Sequence, residues 1–151
     1  MKRKKLQTHI KFFDDLTPGE LLDICIARIK VFVVEQNCPY QDIDHHDRAS
    51  WHVWLGDDAG LAAYCRVLPA GETFEEVAIG RVITLRRGLG LGAKVLREGI
   101  SVACEKFAAK TTVLEAQTYA RGFYEKAGFV AFGEEFLEDD IPHIKMRLSF
   151  E

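Results

Sequence analysis

Between residues 86 and 92 the chain reads Arg86-Arg87-Gly88-Leu89-Gly90-Leu91-Gly92, with a β-rich run before it and an amphipathic helical pattern after it. Glycine at alternate positions lets the backbone enter left-handed conformations and leaves no Cβ to keep a bulky group away. At the start of a helix, backbone N–H groups and the helix dipole combine into an anion site. Strand, glycine loop and helix in that order commit the chain to the α/β class.

The flanking pattern extends that reading. The strand before the loop runs from about Val77 to Leu85. In the helix after it, Leu91, Val95, Leu96, Ile100, Ala103 and Phe107 form one apolar stripe, while Lys94, Arg97, Glu98, Ser101, Glu105 and Lys106 face away. Upstream, residues 8–13 read as an edge strand. Thr17-Pro18-Gly19-Glu20 predicts a helix start, with Thr17 as N-cap, Pro18 at the first position and Glu20 closing a capping box. Leu22, Cys25, Ile26, Ile29 and Val33 follow at helical spacing. Residues 35–50 are polar and rich in Asp and His. Trp51–Leu55 and Leu61–Val67 read as a hairpin around Gly56-Asp57-Asp58-Ala59-Gly60. Thr111–Ala116 reads as a strand, Tyr119–Lys126 as a helix stopped by Gly128, and residues 129–132 and 144–150 as closing strands. Local pairing early and a strand–helix–strand crossover later predict a mixed sheet flanked by helices.

At 151 residues the chain predicts a single domain, 1–151, with residues 1–7 as a flexible basic tip. The formal net charge is −3 even with Lys2, Arg3, Lys4 and Lys5 in that tip, so the body is acidic and nucleic acid is not an expected partner. The longest apolar run, Leu61–Cys65, is too short to span a membrane. The basic tip leads into Leu6-Gln7-Thr8-His9, not an apolar stretch, so a secretion signal is not expected. Cys25, Cys38, Cys65 and Cys104 then read as reduced thiols in a cytoplasmic protein, with Cys25 and Cys104 in helix cores. A homodimer is compatible with the sequence, which offers no argument for it.

Three kinds of phosphate loop compete for residues 86–93. A Walker loop fails because Lys94 is followed by Val95 rather than Ser or Thr. A dinucleotide pattern fits Gly88, Gly90 and Ala93, with Glu115 near the place of a ribose-binding acid, which would make the chain an NAD-dependent oxidoreductase. The third pattern, Arg87-x-x-Gly90-x-Gly92, resembles the acetyl-CoA pyrophosphate loop of the GNAT N-acetyltransferases. The later chain favours the third. The dinucleotide fold usually opens on its glycine loop, whereas here 87 residues precede Gly88 and too few follow for a doubly wound sheet.

The segment Gln117-x-x-Ala120-x-x-Phe123-Tyr124-Glu125-Lys126-Ala127-Gly128-Phe129 resembles the second signature of the GNAT N-acetyltransferases, and the loop resembles the first. VFVVEQNCPYQDIDHHD at 31–47, IGRVIT at 79–84 and EDDIPHIKM at 138–146 make the chain resemble the ElaA-like family within that superfamily, roughly from Leu21 to Met146. Gln117 stands where many GNATs carry Asn, and Asp140 where the ElaA-like group more often carries Gly. The resemblance implies the GNAT acyltransferase fold, a mixed twisted sheet splayed at its centre. It also implies an acetyl-CoA cosubstrate, an amine acceptor and direct transfer in a ternary complex.

By that resemblance the strand at 77–85 bends so that a backbone N–H near Val82 polarises the thioester carbonyl. Val82, Ile83 and Thr84 then pair with the pantetheine arm. Arg87, Gly88, Leu89, Gly90, Leu91, Gly92 and Ala93 hold the pyrophosphate, Gln117 belongs to the cofactor side, and Tyr124 is the candidate acid toward the CoA sulfur. Glu76, eleven residues before Arg87, is the candidate base, with His143 or an acid of residues 35–47 as alternatives through water. A non-catalytic CoA-binding sensor is the remaining rival.

Other clusters carry less. Adjacent His45 and His46 point opposite ways on an extended segment, and with Asp47 and His52 they lack metal-ligand spacing, so no metal is expected. Cys38 beside Pro39 has no visible base partner. Two acidic groups, Asp42, Asp44 and Asp47 early and Glu134, Glu135, Glu138, Asp139 and Asp140 late, would favour a cationic acceptor if both faced the cleft.

Overall fold

A computed structural model of the protein describes residues 5–150. Its seven strands form one sheet: β1 (Gln7–Phe12), β2 (Trp51–Asp57), β3 (Gly60–Leu68), β4 (Val77–Thr84), β5 (Thr111–Gln117), β6 (Val130–Glu138) and β7 (Ile141–Ser149), in the order β1-β2-β3-β4-β5-β7-β6. Strands β1 to β4 are an antiparallel meander, and β5, β7 and β6 are antiparallel to one another. The halves meet in the parallel pair β4–β5, which is in register only at Val77–Thr112 and Ala78–Val113. Past those residues the two strands diverge, and the sheet is splayed at its centre.

Two main helices cover opposite faces. Alternate residues of a strand point to opposite sides, so Val53 and Leu55 face α2 (Leu91–Phe107) while Trp54 and Tyr64 face α1 (Pro18–Arg28). The start of α1 is the expected capping box: Thr17 accepts from the Glu20 N–H, and Glu20 accepts from the Thr17 N–H. Helix α2 buries Leu91, Val95, Leu96, Val102 and Ala103, with Gly99 against β3. A Cβ at Gly99 would lie 2.8 Å from the Cys65 Sγ, so this glycine sets how closely helix and sheet approach. Of the expected basic tip, Met1–Lys4 lie outside the described residues, whereas Leu6 packs on the core and Gln7 belongs to β1.

The stripe expected on α1 is turned outward. Leu22 is 60% exposed and Ile26 58%, while Ile24, Ala27 and Arg28 are buried with Val31, which follows in a π-helical stretch, Ile29–Glu35. The reason is Arg28. Its guanidinium is inside, donating Nε to Asp42 at 2.9 Å and Nη1 to Asp47 at 2.5 Å, and burying it rotates the apolar residues of the neighbouring stripe to the surface. Cys25 is only half-buried, and Cys104 is exposed because Val102 and Ala103 take the sheet-facing side of α2; neither is a core thiol.

Arg28→Met keeps much of the side-chain volume but strands Asp42 and Asp47, both nearly inaccessible, without their shared counter-charge. Breaking a buried pair from one side costs about 3–5 kcal/mol. Urea unfolding should show a stability loss of that size as a lowered midpoint with an unchanged slope. A loss below about 1 kcal/mol, the range of an exposed pair, would mean that the other arginines carry these carboxylates unaided.

Candidate active site

Where β4 and β5 part, a cavity of about 1100 Å³ opens. One wall is β4, bent by a bulge. Tyr64 faces Ile83 and Arg66 faces Gly80, so Cys65 stands opposite both Arg81 and Val82, and Arg81 adopts φ +55°. A bulge leaves an extra residue outside the ladder and re-aims the strand beyond it. Val82, Ile83 and Thr84 come next along this wall and line the cavity, as do Arg87, Gly92, Gln117 and Tyr124.

The glycine loop follows β4 and contributes Arg87 and Gly92 to the lining, whereas Gly88, Leu89, Gly90, Leu91 and Ala93 are not part of it. Gly88 has φ +82° and Gly90 φ +71°, conformations that favour glycine, and a Cβ at either would meet nothing within 4 Å. The space over the loop is therefore open. Gly90 is the N-cap of α2 and supplies no capping side chain, which leaves the first-turn N–H groups available to an anion. Gly92 serves packing: a Cβ there would lie 3.1 Å from Thr84 Cγ2 and 3.4 Å from the Phe123 ring. Leu91 is buried in the core, whereas Leu89 is exposed, Ala93 is exposed and Arg87 pairs with Glu35 at 3.2 Å. Such a cradle, left-handed, uncapped and open above, fits a pyrophosphate.

Tyr124 lies in α3 (Arg121–Lys126), its ring packed edge-on between Phe123 at 5.0 Å and Phe129 at 6.1 Å. Burial, reinforced by Cys65 and Tyr119 nearby, holds its phenol well above the ordinary range, so the proton stays on. The Gln117 side chain exchanges hydrogen bonds with Gln36 at 3.1 and 3.4 Å and ties the end of β5 to the π-helical stretch.

Glu76 is not brought to this place. It precedes β4, accepts from Arg147 at 3.2 Å and is not among the residues lining the cavity. The acids that do line it are Glu35, Asp44, Glu138, Asp139 and, on β5, Glu115. Burial raises the Glu115 carboxyl to about 7, helped by a hydrogen bond and charge from Glu138 and opposed by Lys145 and Arg81. The sequence holds a signal for it, an acid between Val113 and Gln117 at the alternation of one strand face. On sequence that acid has a role only in the dinucleotide pattern.

The two acidic groups fare differently. Asp42, Asp44 and Asp47 are matched by Arg28, Arg66 and Arg81: Arg66 Nη1 lies 2.7 Å from Asp44 and 3.0 Å from Asp47, and Arg81 forms ion pairs with Asp42 at 2.7 Å and Asp44 at 3.4 Å. Burial works against the charge on Asp44 and Asp47, but Arg66 and Arg28 respectively hold their carboxyls below the usual range. These acids brace residues 42–47 against the sheet and are not a free negative wall. In the late group Glu138 and Asp139 line the cavity, while Glu134, Glu135 and Asp140 do not. Asp139 (φ +51°) and Asp140 (φ +63°) form the β6–β7 turn. Two left-handed residues define a type I′ hairpin turn, and Asp at 140 takes the conformation glycine would otherwise supply.

Two histidines of the early cluster, His46 and His52, are engaged within the protein. His52, fully buried, meets the Asp47 carbonyl at 3.0 Å and the Tyr64 hydroxyl at 2.6 Å, and His46 meets Glu72 at 2.5 Å. Among the described residues no group of three His, Cys, Asp or Glu is placed to hold a metal. Cys38 is buried with its thiol 3.6 Å from the Asp139 carbonyl, and burial raises its pKa.

A splayed mixed sheet with an uncapped glycine loop and a helix tyrosine on one cavity is the architecture of acyl-CoA acyltransferases. A family model described as an acetyltransferase (GNAT) domain matches residues 20–150. A UPF0039 protein of Schizosaccharomyces pombe is 39% identical over 143 residues, covering 92% of this chain and 94% of that one. Protein ElaA of Escherichia coli is 38% identical over 138 residues, covering 87% and 89%. Among solved structures, an acyl-CoA N-acyltransferase from Pseudomonas aeruginosa has a TM-score of 0.89 at 38% identity, covering 95% of this chain and all of that one. Escherichia coli ElaA has a TM-score of 0.88 at 33% identity, covering 95% and 99%. The chain belongs to the GNAT acyltransferases, in their ElaA-like branch. The dinucleotide reading falls with the topology: β4–β5 is the one parallel pair among the described strands, and a doubly wound sheet is built of parallel strands.

Proposed function

We propose that the protein moves an acetyl group from acetyl-CoA to a cationic primary amine by direct attack in a ternary complex. The observation that carries this reading is the cavity between the diverging strands, which gathers Val82–Thr84, the loop residues Arg87 and Gly92, Gln117 and Tyr124 onto one space. The backbone of Val82, just past the bulge, donates to the thioester oxygen, and Val82–Thr84 receive the pantetheine arm as they would a neighbouring strand. Arg87–Ala93 hold the pyrophosphate. Tyr124 keeps its proton until a thiolate leaves. Glu138 and Asp139 give the acceptor side its negative character. Glu76, held on Arg147 outside the cavity, has no part in the step.

Among the described residues no helix is long and apolar enough to cross a membrane, and the reading places the enzyme in the cytoplasm with a small-molecule or peptide amine as partner. Calorimetry should show acetyl-CoA and CoA binding and NAD not binding. Thiol release from acetyl-CoA should rise with polyamines or basic peptides and fall as salt is raised through the screening range. Binding without amine-dependent thiol release would instead make the protein a CoA sensor.

A further inference from the structure

We propose that Glu115 takes the proton from the incoming ammonium, with Glu138 beside it sharing that proton. This rests on the transferase reading above and supplies the base it lacks.

Along β5, Leu114 and Ala116 point into the core, so Glu115 points to the opposite face with Val113 and Gln117. There it lines the main cavity and also an adjoining one of about 540 Å³, bounded by Phe132, Gly133, Glu134, Phe136 and Lys145. The second cavity exists because β6 carries a wide bulge. Phe132 faces Lys145 and Phe136 faces His143, so residues 133–135 stand opposite Ile144 alone, and Gly133 turns at φ +77°. Glu115 therefore sits at the junction of two spaces, and the acceptor has an approach that the pantetheine arm does not fill.

The surrounding charges suit the role. Glu138 from β6 and Asp139 from the turn bring negative charge, Lys145 and His143 stand across the register on β7, and Arg81 comes from the bulge of β4. Two carboxyl groups hydrogen-bonded to each other must hold a proton between them, and in a half-buried site its loss is resisted. An ordinary carboxylate is a weak base toward an amine of pKa about 10.4. One titrating at about 7 is matched to the operating pH.

The ammonium gives one proton to the Glu115 carboxylate, and the freed lone pair attacks the thioester carbon. The C–N bond forms, the C–S bond breaks, and Tyr124 protonates the leaving sulfur. The second nitrogen proton restores Tyr124, and Glu115 releases its proton to solvent, one per turnover.

The test compares n-butylamine, an ammonium at neutral pH, with 2,2,2-trifluoroethylamine, already neutral there. Glu115→Gln should lower kcat with butylamine by about 10²–10³ and with trifluoroethylamine by less than about tenfold, since the second amine needs no deprotonation. Wild-type kcat/KM should show an acidic limb at about 7 that Glu115→Gln abolishes. Glu138→Gln should move that limb to lower pH, because it removes the neighbouring charge that resists ionisation. A ¹³C-carboxylate titration of the wild-type protein should find a group at about 7 that is absent from Glu115→Gln. Equal losses with both amines, undiminished turnover, or no carboxyl titrating there would overturn the proposal while leaving the transferase reading. Wild-type protein that binds acetyl-CoA and acetylates neither amine would overturn both.

Discussion

Tyr124→Phe is expected to lower kcat by about 10²–10⁴ with little change in acetyl-CoA affinity, the span typical of a lost general acid. The variant keeps the ring that packs between Phe123 and Phe129 at 5.0 and 6.1 Å, so α3 and the end of the cavity should stand. Only the hydroxyl is removed. Because burial holds the phenol protonated, ionisation of Tyr124 should cost the wild-type enzyme no rate at neutral pH, and any alkaline limb should lie well above it. Steady-state thiol release and calorimetry separate the two effects. An unchanged kcat would return Tyr124 to a packing role or show that product release limits turnover.

Gly90→Val is expected to abolish acetyl-CoA binding in a folded protein. At φ +71° a residue with a Cβ is strained, by roughly 1–3 kcal/mol and more for a branched one. No atom lies within 4 Å of the Cβ position, so the cost is local and the sheet is untouched. The same open space is the proposed approach of the pyrophosphate to the first turn of α2, and the isopropyl group would fill it. Asn tolerates the left-handed region, so Gly90→Asn should restore the loop conformation while still crowding its mouth. Thermal unfolding checks the fold and calorimetry the binding. Normal acetyl-CoA affinity in Gly90→Val would remove the anion role from this loop.

Features set by near neighbours were legible in the sequence. The capping box at Thr17 and Glu20 spans three residues, and the glycine loop is fixed by its own backbone. The rotation of α1 was not legible, because it depends on Arg28 meeting acids 14 and 19 residues further on. Apolar periodicity selects Leu22 and Ile26, and no local pattern shows that a guanidinium outweighs them. No strand is legible in the late acidic run 133–140, yet most of it belongs to β6, because the strand carries Glu134 and Glu135 in a bulge and resumes its pairing at Phe136. The place of Glu76 was not legible for a related reason. Counting back from Arg87 reaches Glu76, whereas the splay of β4 from β5 and the bulge of β6 bring Glu115 and Glu138 to the cavity and leave Glu76 outside it.

The two register pairs that join β4 to β5 make a seam through the enzyme. On one side lie the backbone groups and glycine loop assigned to the thioester; on the other, Glu115, Glu138 and Asp139 belong to a ribbon whose outer strand, β6, pairs with β7 alone. On the proposed reading, insertions or substitutions in that ribbon would reshape the acceptor's berth without disturbing the donor's.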